Sequence, residues 1–337
     1  MNREQGEKDL IGRFEGSSIL ITGATGLIGK MLVQLLVQHN RKAKNPVRIY
    51  ACVRNREKAA ALFGAETNAL SYIVGDVRDV DLSGVKADYI VHAASETASR
   101  AFVNSPVDTI GIALDGTRHL LEYAATQNLK RFLYTSTMEV YGSPETDEKI
   151  SEDHATNLDP MKVRSCYPES KRLCECLCAS YGLQYRVPVV VLRLTQTFGP
   201  GVSYDDGRVF AEFARCVIEE RDIVLKTKGE TKRSYLHVYD AAMAILYALA
   251  NGKNGEAYNV ANEETYCSIY EMAQMVANEF SDGKTHVVIE EQDISNFGYA
   301  PTLKMNLDTS KLKATGWAPL YTLTDMFRDL ISGMRKD

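Results

Sequence analysis

The chain has 337 residues, enough for about two domains, of which 45% are hydrophobic and 25% charged. Lys and Arg total 39 against 44 Asp and Glu, a formal net charge of −5. These ordinary values exclude a disordered chain, a collagen-like chain and a coiled coil. The mildly acidic balance excludes broad electrostatic binding to nucleic acid or anionic lipid. The N-terminus, Met1-Asn2-Arg3-Glu4-Gln5, is charged and has no apolar leader core. The longest apolar run, 241–250, is half the roughly 20 residues of a membrane span. A soluble, cytoplasmic protein with no membrane partner is expected.

Short β-rich runs alternate with helical patterns through the first half. The runs are Ser18–Thr22, 47–53, 72–74, 89–91, 132–134 and 187–194. After the first, Ile28, Met31, Leu32, Leu35 and Leu36 recur at helical spacing. A helix starts near Pro106, with the stripe Ile110, Leu114, Leu121 and Ala125. Strands alternating with helices predict an α/β fold, a doubly wound parallel sheet covered on both faces and joined by right-handed crossovers. After Gly199-Pro200-Gly201 helices dominate, at 209–220, 239–250 and 268–280. Short strands fall between them at Ile223–Leu225 and 286–289. This reads as a smaller α+β unit, and 158–167 reads as an ordered surface loop. Of seven cysteines, Cys174, Cys176 and Cys178 form a tight cluster with no nearby His and no CxxC pair. Buried, reduced thiols and no metal are expected.

The informative glycines sit in Thr22-Gly23-Ala24-Thr25-Gly26-Leu27-Ile28-Gly29, between the first strand and the first helix. Gly23 permits a tight turn, Gly26 lets the backbone approach a pyrophosphate, and Gly29 permits close helix–strand packing. The helix N-terminus then offers N–H groups to phosphates. A Rossmann dinucleotide-binding unit is expected over 1–195 and 232–265. The smaller substrate-binding unit then takes 196–231 and 266–337. The second strand ends on Val53-Arg54-Asn55, where NAD sites carry an acid. Arg54 suits a 2′-phosphate, or stacks on adenine, or is a surface charge. The cofactor is NAD or NADP, with NADP at least tolerated.

Tyr167-Pro168-Glu169-Ser170-Lys171 is a YxxxK pair whose two functional groups share a helix face. An adjacent ammonium favours the phenolate and is expected to lower the tyrosine pKa. Thr137 and Glu139 follow the fifth strand and belong at the same carboxyl edge of the sheet.

In order along the chain stand the glycine loop, Gly75-Asp76-Val77, His92-Ala93-Ala94, Ser136-Thr137-Met138-Glu139-Val140-Tyr141-Gly142 and YxxxK. Gly199-Pro200 and Arg233-Ser234-Tyr235-Leu236-His237-Val238 follow. Together they resemble the extended short-chain dehydrogenase/reductases of the NAD-dependent epimerase/dehydratase family that act on nucleotide sugars. Asp159-Pro160, Arg164-Ser165-Cys166-Tyr167 and Lys171-Arg172 are most similar to the UDP-glucuronate decarboxylase and dehydratase branch.

The resemblance implies that Gly23, Thr25, Gly26, Leu27, Ile28 and Gly29 hold the cofactor, with Arg54, Asp76, Val77, Ala93, Ala94, Tyr167 and Lys171. It implies catalytic roles for Thr137, Glu139, Tyr167 and Lys171. Ser136, Gln196, Arg208, Arg233 and Lys304 would contact the nucleotide-sugar substrate, although the family often carries Asn where Gln196 stands. A homodimer through two helices per subunit is also implied. The implied reaction oxidises the sugar at C4 and then decarboxylates or dehydrates the 4-ketone. The alternatives are a 4-epimerase and an NADP-dependent keto-sugar reductase. Dehydratases of this family present Asp-Glu where this chain has Met138-Glu139, and Met cannot protonate a leaving hydroxyl. Decarboxylases tend to carry an Arg near the position of Lys304, a point charge rather than a bidentate fork.

Overall fold

The computed structural model describes residues 3–292 and 302–335. The chain begins with α1 (Arg3–Gly12), β1 (Ser18–Thr22), α2 (Leu27–Asn40), β2 (Arg48–Val53), α3 (Arg56–Phe63), β3 (Leu70–Val74) and β4 (Tyr89–His92). It continues through α4 (Ser99–Asn104), α5 (Pro106–Ala125), β5 (Arg131–Thr137), α6 (Cys166–Tyr185), β6 (Val189–Leu194), β7 (Gln196–Phe198) and α7 (Val209–Ile218). Then come β8 (Ile223–Leu225), β9 (Lys232–His237), α8 (Val238–Asn251), β10 (Glu256–Val260), β11 (Asn262–Ser268) and α9 (Ile269–Phe280). Short strands β12 (Val287–Ile289) and β13 (Lys304–Met305) precede α10 (Ser310–Lys313) and α11 (Leu323–Met334).

The large sheet has the order β10-β6-β5-β4-β1-β2-β3, and every neighbouring pair is parallel. The strand order reverses between β1 and β4, which opens a crevice at their carboxyl ends. Leu20, Ile90 and Phe132 face one layer of helices; Ile19, Ile21 and Val91 face the other. That double burial is why these strands are apolar along their whole length.

Among the elements that the sequence reading did not place, two carry buried polar or anchoring contacts. The seventh strand, Glu256-Ala257-Tyr258-Asn259-Val260, has a polar residue inside it. Asn259 is buried because its amide donates to the Ile150 and Asp308 carbonyls while accepting from the Tyr141 hydroxyl. The charged N-terminus forms α1, which docks through buried Leu10 and Ile11, with Phe14 just after it. Glu7 there accepts a hydrogen bond from the Tyr239 hydroxyl.

The smaller unit holds the sheet β11-β9-β13, with β7 added on β9, and a separate β8–β12 pair. Its core is aromatic: Phe198 stacks on Phe210 at 4.4 Å and meets Phe327 edge-on at 5.1 Å. Each such pair adds about 0.5–1.5 kcal/mol to the burial itself. The chain crosses between the units more often than the boundary at 232–265 expressed. Strands β9 and β11 lie in the smaller sheet, whereas α8 and β10 pack with the larger one. The stretches 293–301 and 336–337 of the second unit lie outside the described residues. No helix among the described residues is long and apolar enough to cross a membrane. Cys52, Cys166, Cys174, Cys178 and Cys216 are buried, but Cys176 is exposed because it lies on the outer face of α6.

Candidate active site

The glycine loop forms a tight cradle at the carboxyl edge of β1. Gly23 has φ of +65°, and a Cβ there would lie 2.7 Å from the Ala93 carbonyl oxygen. A Cβ on Gly29 would collide with the Gly23 carbonyl. Gly26 caps α2 without a side-chain bond, and no acid stands in the first turn. The first helical bond runs from Lys30 N–H to Gly26 O at 2.8 Å. The N–H groups of Leu27, Ile28 and Gly29 therefore precede the helical ladder and point out of the positive helix end. Thr25 is half-buried beside them. A dinucleotide pyrophosphate fits the chemistry of this cradle: Gly23, Gly26 and Gly29 bring no side chain to it, and the uncapped end of α2 offers N–H groups with no acid in the first turn.

His92 ties this loop to β4. Its Nδ1 lies 2.8 Å from the Thr22 hydroxyl and its Nε2 3.1 Å from that of Thr117. The Ala94 N–H donates to the same Thr22 oxygen at 3.2 Å. Burial, and then the nearby Lys171 charge, push the imidazole down to about 3, so it is neutral. Ala93 and Ala94 are thereby held against Gly23.

At the ends of β2 and β3, Asp76 receives a bidentate pair from Arg78, at 2.8 and 3.0 Å. The Arg78 hydrogen bond, and with a smaller effect the Arg54 charge, hold its carboxyl below the usual range. Arg54 is exposed. Val77 is buried against α5, where a Cβ on Gly116 would come within 2.8 Å of its Cγ1. Arg78 was missed from the sequence because it adjoins Val77 in an exposed turn with no distinguishing pattern.

Tyr167 and Lys171 lie on the inward face of α6, both buried. Lys171 Nζ donates to the Thr135 carbonyl at 2.9 Å and lies 4.8 Å over the Tyr134 ring and 6.0 Å from the centre of the Tyr167 ring. Burial lowers its pKa to about 8. The expectation of a lowered tyrosine pKa does not hold for this state. Burial, and then the Glu139 charge, push the Tyr167 phenol up. A hydrogen bond to Thr137 and the charges of Arg164 and Arg208 offset only part of that. Lys171 Nζ donates to the Thr135 carbonyl, so burial dominates and the phenol is held above its ordinary range until a further positive charge enters the site.

Thr137 ends β5 and accepts from the Glu139 N–H at 3.3 Å, which starts a tight turn over Met138–Tyr141. Glu139 pairs with Arg164 at 2.9 Å. The Arg164 guanidinium lies 4.8 Å over Phe102, and Phe102 stacks on Tyr167 at 4.3 Å and 11°. Arg164, Phe102, Tyr167 and Glu139 thus form one closed group. Met138 is buried instead, its sulfur accepting from the Thr195 hydroxyl at 3.2 Å. Phe102 carried no sequence signal, since α4 is short. Arg164 had a motif, but its partner is distant in the chain.

Arg208 is bidentate to Asp206, with bonds of 2.6 and 2.9 Å, and caps α7 beside the site. Gln196 pairs in register with Tyr235, so Gln196 and Arg233 share one face of adjacent strands. Gln196 Oε1 and Arg233 Nε are buried without a hydrogen-bond partner among the described residues. Two expected substrate contacts stand apart from this group. Ser136 donates to Glu175, inside a set with Arg193 and Tyr141. Lys304 forms an ion pair with Asp147 at 2.8 Å on the edge of the smaller sheet.

A nucleotide-binding crevice with a Thr-Tyr-Lys set at the carboxyl edge of a parallel sheet defines a dinucleotide-dependent enzyme of the extended Rossmann class. The model of the NAD dependent epimerase/dehydratase family matches residues 19–261, and the chain belongs to that family. UDP-glucuronic acid decarboxylase 1 of Xenopus tropicalis is 28% identical over 320 residues, which are 95% of this chain and 72% of that one. UDP-glucuronic acid decarboxylase 3 of Arabidopsis thaliana is 30% identical over 308 residues, 91% of this chain and 86% of that one. Among solved structures, UDP-glucose 4-epimerase of Thermotoga maritima has a TM-score of 0.79 at 21% identity, covering 95% of this chain and 99% of that one. UDP-glucuronic acid 4-epimerase of Bacillus cereus, in complex with UDP-glucuronic acid and NAD, has 0.78 at 22%, with the same coverage. The structures share the fold.

Proposed function

We propose that the protein oxidises a nucleotide-linked hexuronate at C4 and decarboxylates the resulting 4-keto acid. The observation that carries this reading is the single carboxylate of the site: Glu139 is present and paired with Arg164, while Met138 is turned into the core. Dehydration asks for an acid at O6 and a base at C5, and a simple epimerase needs neither. A β-keto acid loses carbon dioxide without either group, which fits the UDP-glucuronic acid decarboxylases to which the chain is similar.

The bound nicotinamide dinucleotide supplies a hydride acceptor. With the positive charge that a bound nicotinamide would add, together with that of Lys171, offsetting the burial of the phenol, Tyr167 would act as general base toward the C4 hydroxyl, and Lys171 would hold the nicotinamide ribose. Thr137 hydrogen-bonds the sugar O4. Arg208, Arg233 and Gln196 receive the nucleotide diphosphate and the sugar, two of them with buried polar atoms to satisfy. Asp76, Val77, Ala93 and Ala94 line the adenosine and nicotinamide ends of the cleft. Arg54 places a cation where a ribose 2′-phosphate would lie, so NADP is accepted beside NAD. Ser136 and Lys304 contribute to the substrate side only if their present partners, Glu175 and Asp147, release them. The subunits pair as homodimers through α5 and α6, whose exposed Val107, Ile110 and Leu173 offer an apolar face; the cytoplasm is the expected compartment.

Incubation with cofactor and UDP-, dTDP-, GDP- and CDP-linked sugars, read by mass spectrometry, tests the reaction. Loss of carbon dioxide from UDP-glucuronate is expected. Loss of water indicates dehydration, an isomer of unchanged mass indicates epimerisation, and net consumption of NADPH indicates a reductase; each replaces this reading.

A further inference from the structure

Lys30 is the fourth residue of α2 and directly follows the last glycine of the cofactor loop. Helical side chains lean back toward the N-terminus of their helix and lie over the residue three or four places earlier. Lys30 does this in a space left open by Gly201, in the turn after β7. Gly201 has φ of +93°, and a Cβ on it would lie 2.6 Å from Lys30 Nζ, 3.1 Å from Lys30 Cε and 3.8 Å from Leu27 Cδ1. The ammonium therefore stands beside the side chain of Leu27, the first residue of the helix, and not out along its flank.

That is an unfavourable place for a lone cation. A helix start carries partial positive charge, and the N–H groups of Leu27, Ile28 and Gly29 are its source. No acid stands in the first turn to offset it. Among the described residues Lys30 forms no ion pair and no hydrogen bond. It is half-buried, so water screens only part of the repulsion. An anion at the helix end turns the interactions of the ammonium and of the N–H groups from mutual repulsion into shared attraction.

We propose that Lys30 is a further cofactor-binding residue, whose ammonium donates to the pyrophosphate of the nicotinamide dinucleotide beside the N–H groups of the glycine loop. This rests on the dinucleotide site and not on the decarboxylation. A nucleotide sugar also carries a diphosphate. The place of Lys30 on the glycine-loop helix favours the cofactor's, since Arg208 and Arg233 stand in the smaller unit for the other. Gly201 is the matching part: its missing side chain leaves the room that the ammonium fills.

The test is calorimetry on the full-length parent and on Lys30→Met, which keeps an apolar stem and removes the charge, with NAD, ADP-ribose, adenosine and UDP. NAD and ADP-ribose should bind about 10-fold or more weakly to the variant, the loss of one charge-assisted hydrogen bond. Adenosine should bind as before, and Lys30→Arg should keep most of the parent affinity. Added salt should weaken NAD binding more steeply in the parent than in Lys30→Met. Urea midpoints without cofactor separate binding from folding. There Lys30→Met should be at least as stable as the parent, because a cation has left the positive end of a helix. Equal NAD affinity in the parent and in Lys30→Met overturns the inference. So does a variant that is less stable without cofactor and loses adenosine together with NAD, which marks a structural lysine. A loss confined to UDP places the ammonium on the nucleotide-sugar diphosphate and overturns the cofactor assignment. None of these readouts uses release of carbon dioxide, so the decarboxylase reading stands or falls separately.

Discussion

At the scale of single residues, the site is governed by burial more than by pairing. Tyr167 and Lys171 are both removed from water, and each is pushed toward its neutral form. A Tyr167→Phe variant is expected to lose at least about 1,000-fold in turnover with a far smaller loss of cofactor affinity, since many other groups hold the cofactor; stopped-flow reduction of the cofactor measures the first and calorimetry the second. Lys171 has a stability consequence with a definite sign. Its folded pKa of about 8 lies below the unfolded 10.5, so between these values the unfolded chain binds the extra proton. Stability from this group therefore rises with pH across that window. Urea midpoints of the parent minus those of Lys171→Met should rise from pH 8 toward pH 10. A flat difference contradicts the burial of the ammonium. Arg54→Ala should weaken NADP by about 10-fold or more and leave NAD nearly unchanged, the loss of one charge-assisted phosphate contact. Equal effects on both cofactors would mean that Arg54 lies along the adenine instead.

At the scale of elements, the β1–α2 junction shows why spacing in a loop translates into geometry. Gly23 turns the chain, and Gly29 lets α2 pass over the Gly23 carbonyl. A Gly29→Ala change puts a methyl group into backbone, which cannot yield as a flexible side chain can. Dinucleotide binding should fall by at least about 100-fold, with a stability loss of about 1–3 kcal/mol from overpacking; fluorescence titration and denaturant melts report each. The same junction depends on His92, whose two nitrogens serve Thr22 and Thr117. These contacts could not be read from His92-Ala93-Ala94, because Thr117 lies on a helix that passes over the strand. Helix α6 carries Tyr167 and Lys171 inward by ordinary i, i+4 geometry, so that pair was legible. The stack of Phe102 on Tyr167 was not, since α4 reaches it only after the chain has turned back from β4.

At the scale of the whole molecule, α5 and α6 together expose Val107, Ile110, Leu173, Leu183 and Tyr185. Val107 is 79% exposed and Leu173 47%. Two copies joined there would cover these residues and the outer faces of the helices that carry the YxxxK pair. Light scattering should show a dimer, and a Leu173→Asp change should shift it to monomers by at least about 10-fold in dissociation constant; a monomeric parent would remove this reading. The two units are joined by several crossings, with β10 closing the large sheet after β9 has built the small one. That interleaving is why a boundary drawn by residue number separated the units only in part. Sequence patterns report local period and composition, whereas the placement of β9 depends on its partners β7, β11 and β13.

By itself the sequence determined the alternating α/β pattern, the glycine turn, the YxxxK face and the absence of an acid at Met138, because each is a local matter of period, spacing or residue chemistry. Only the tertiary structure decided that Glu139 is paired with Arg164, that Phe102 covers Tyr167, that Ser136 and Lys304 are committed to Glu175 and Asp147, and that burial raises the pKa of the Tyr167 phenol. Those facts depend on which distant segments share a small volume and on how little water remains there. Both kinds of information were needed to describe Glu139, a carboxylate named by its motif and positioned by its neighbours.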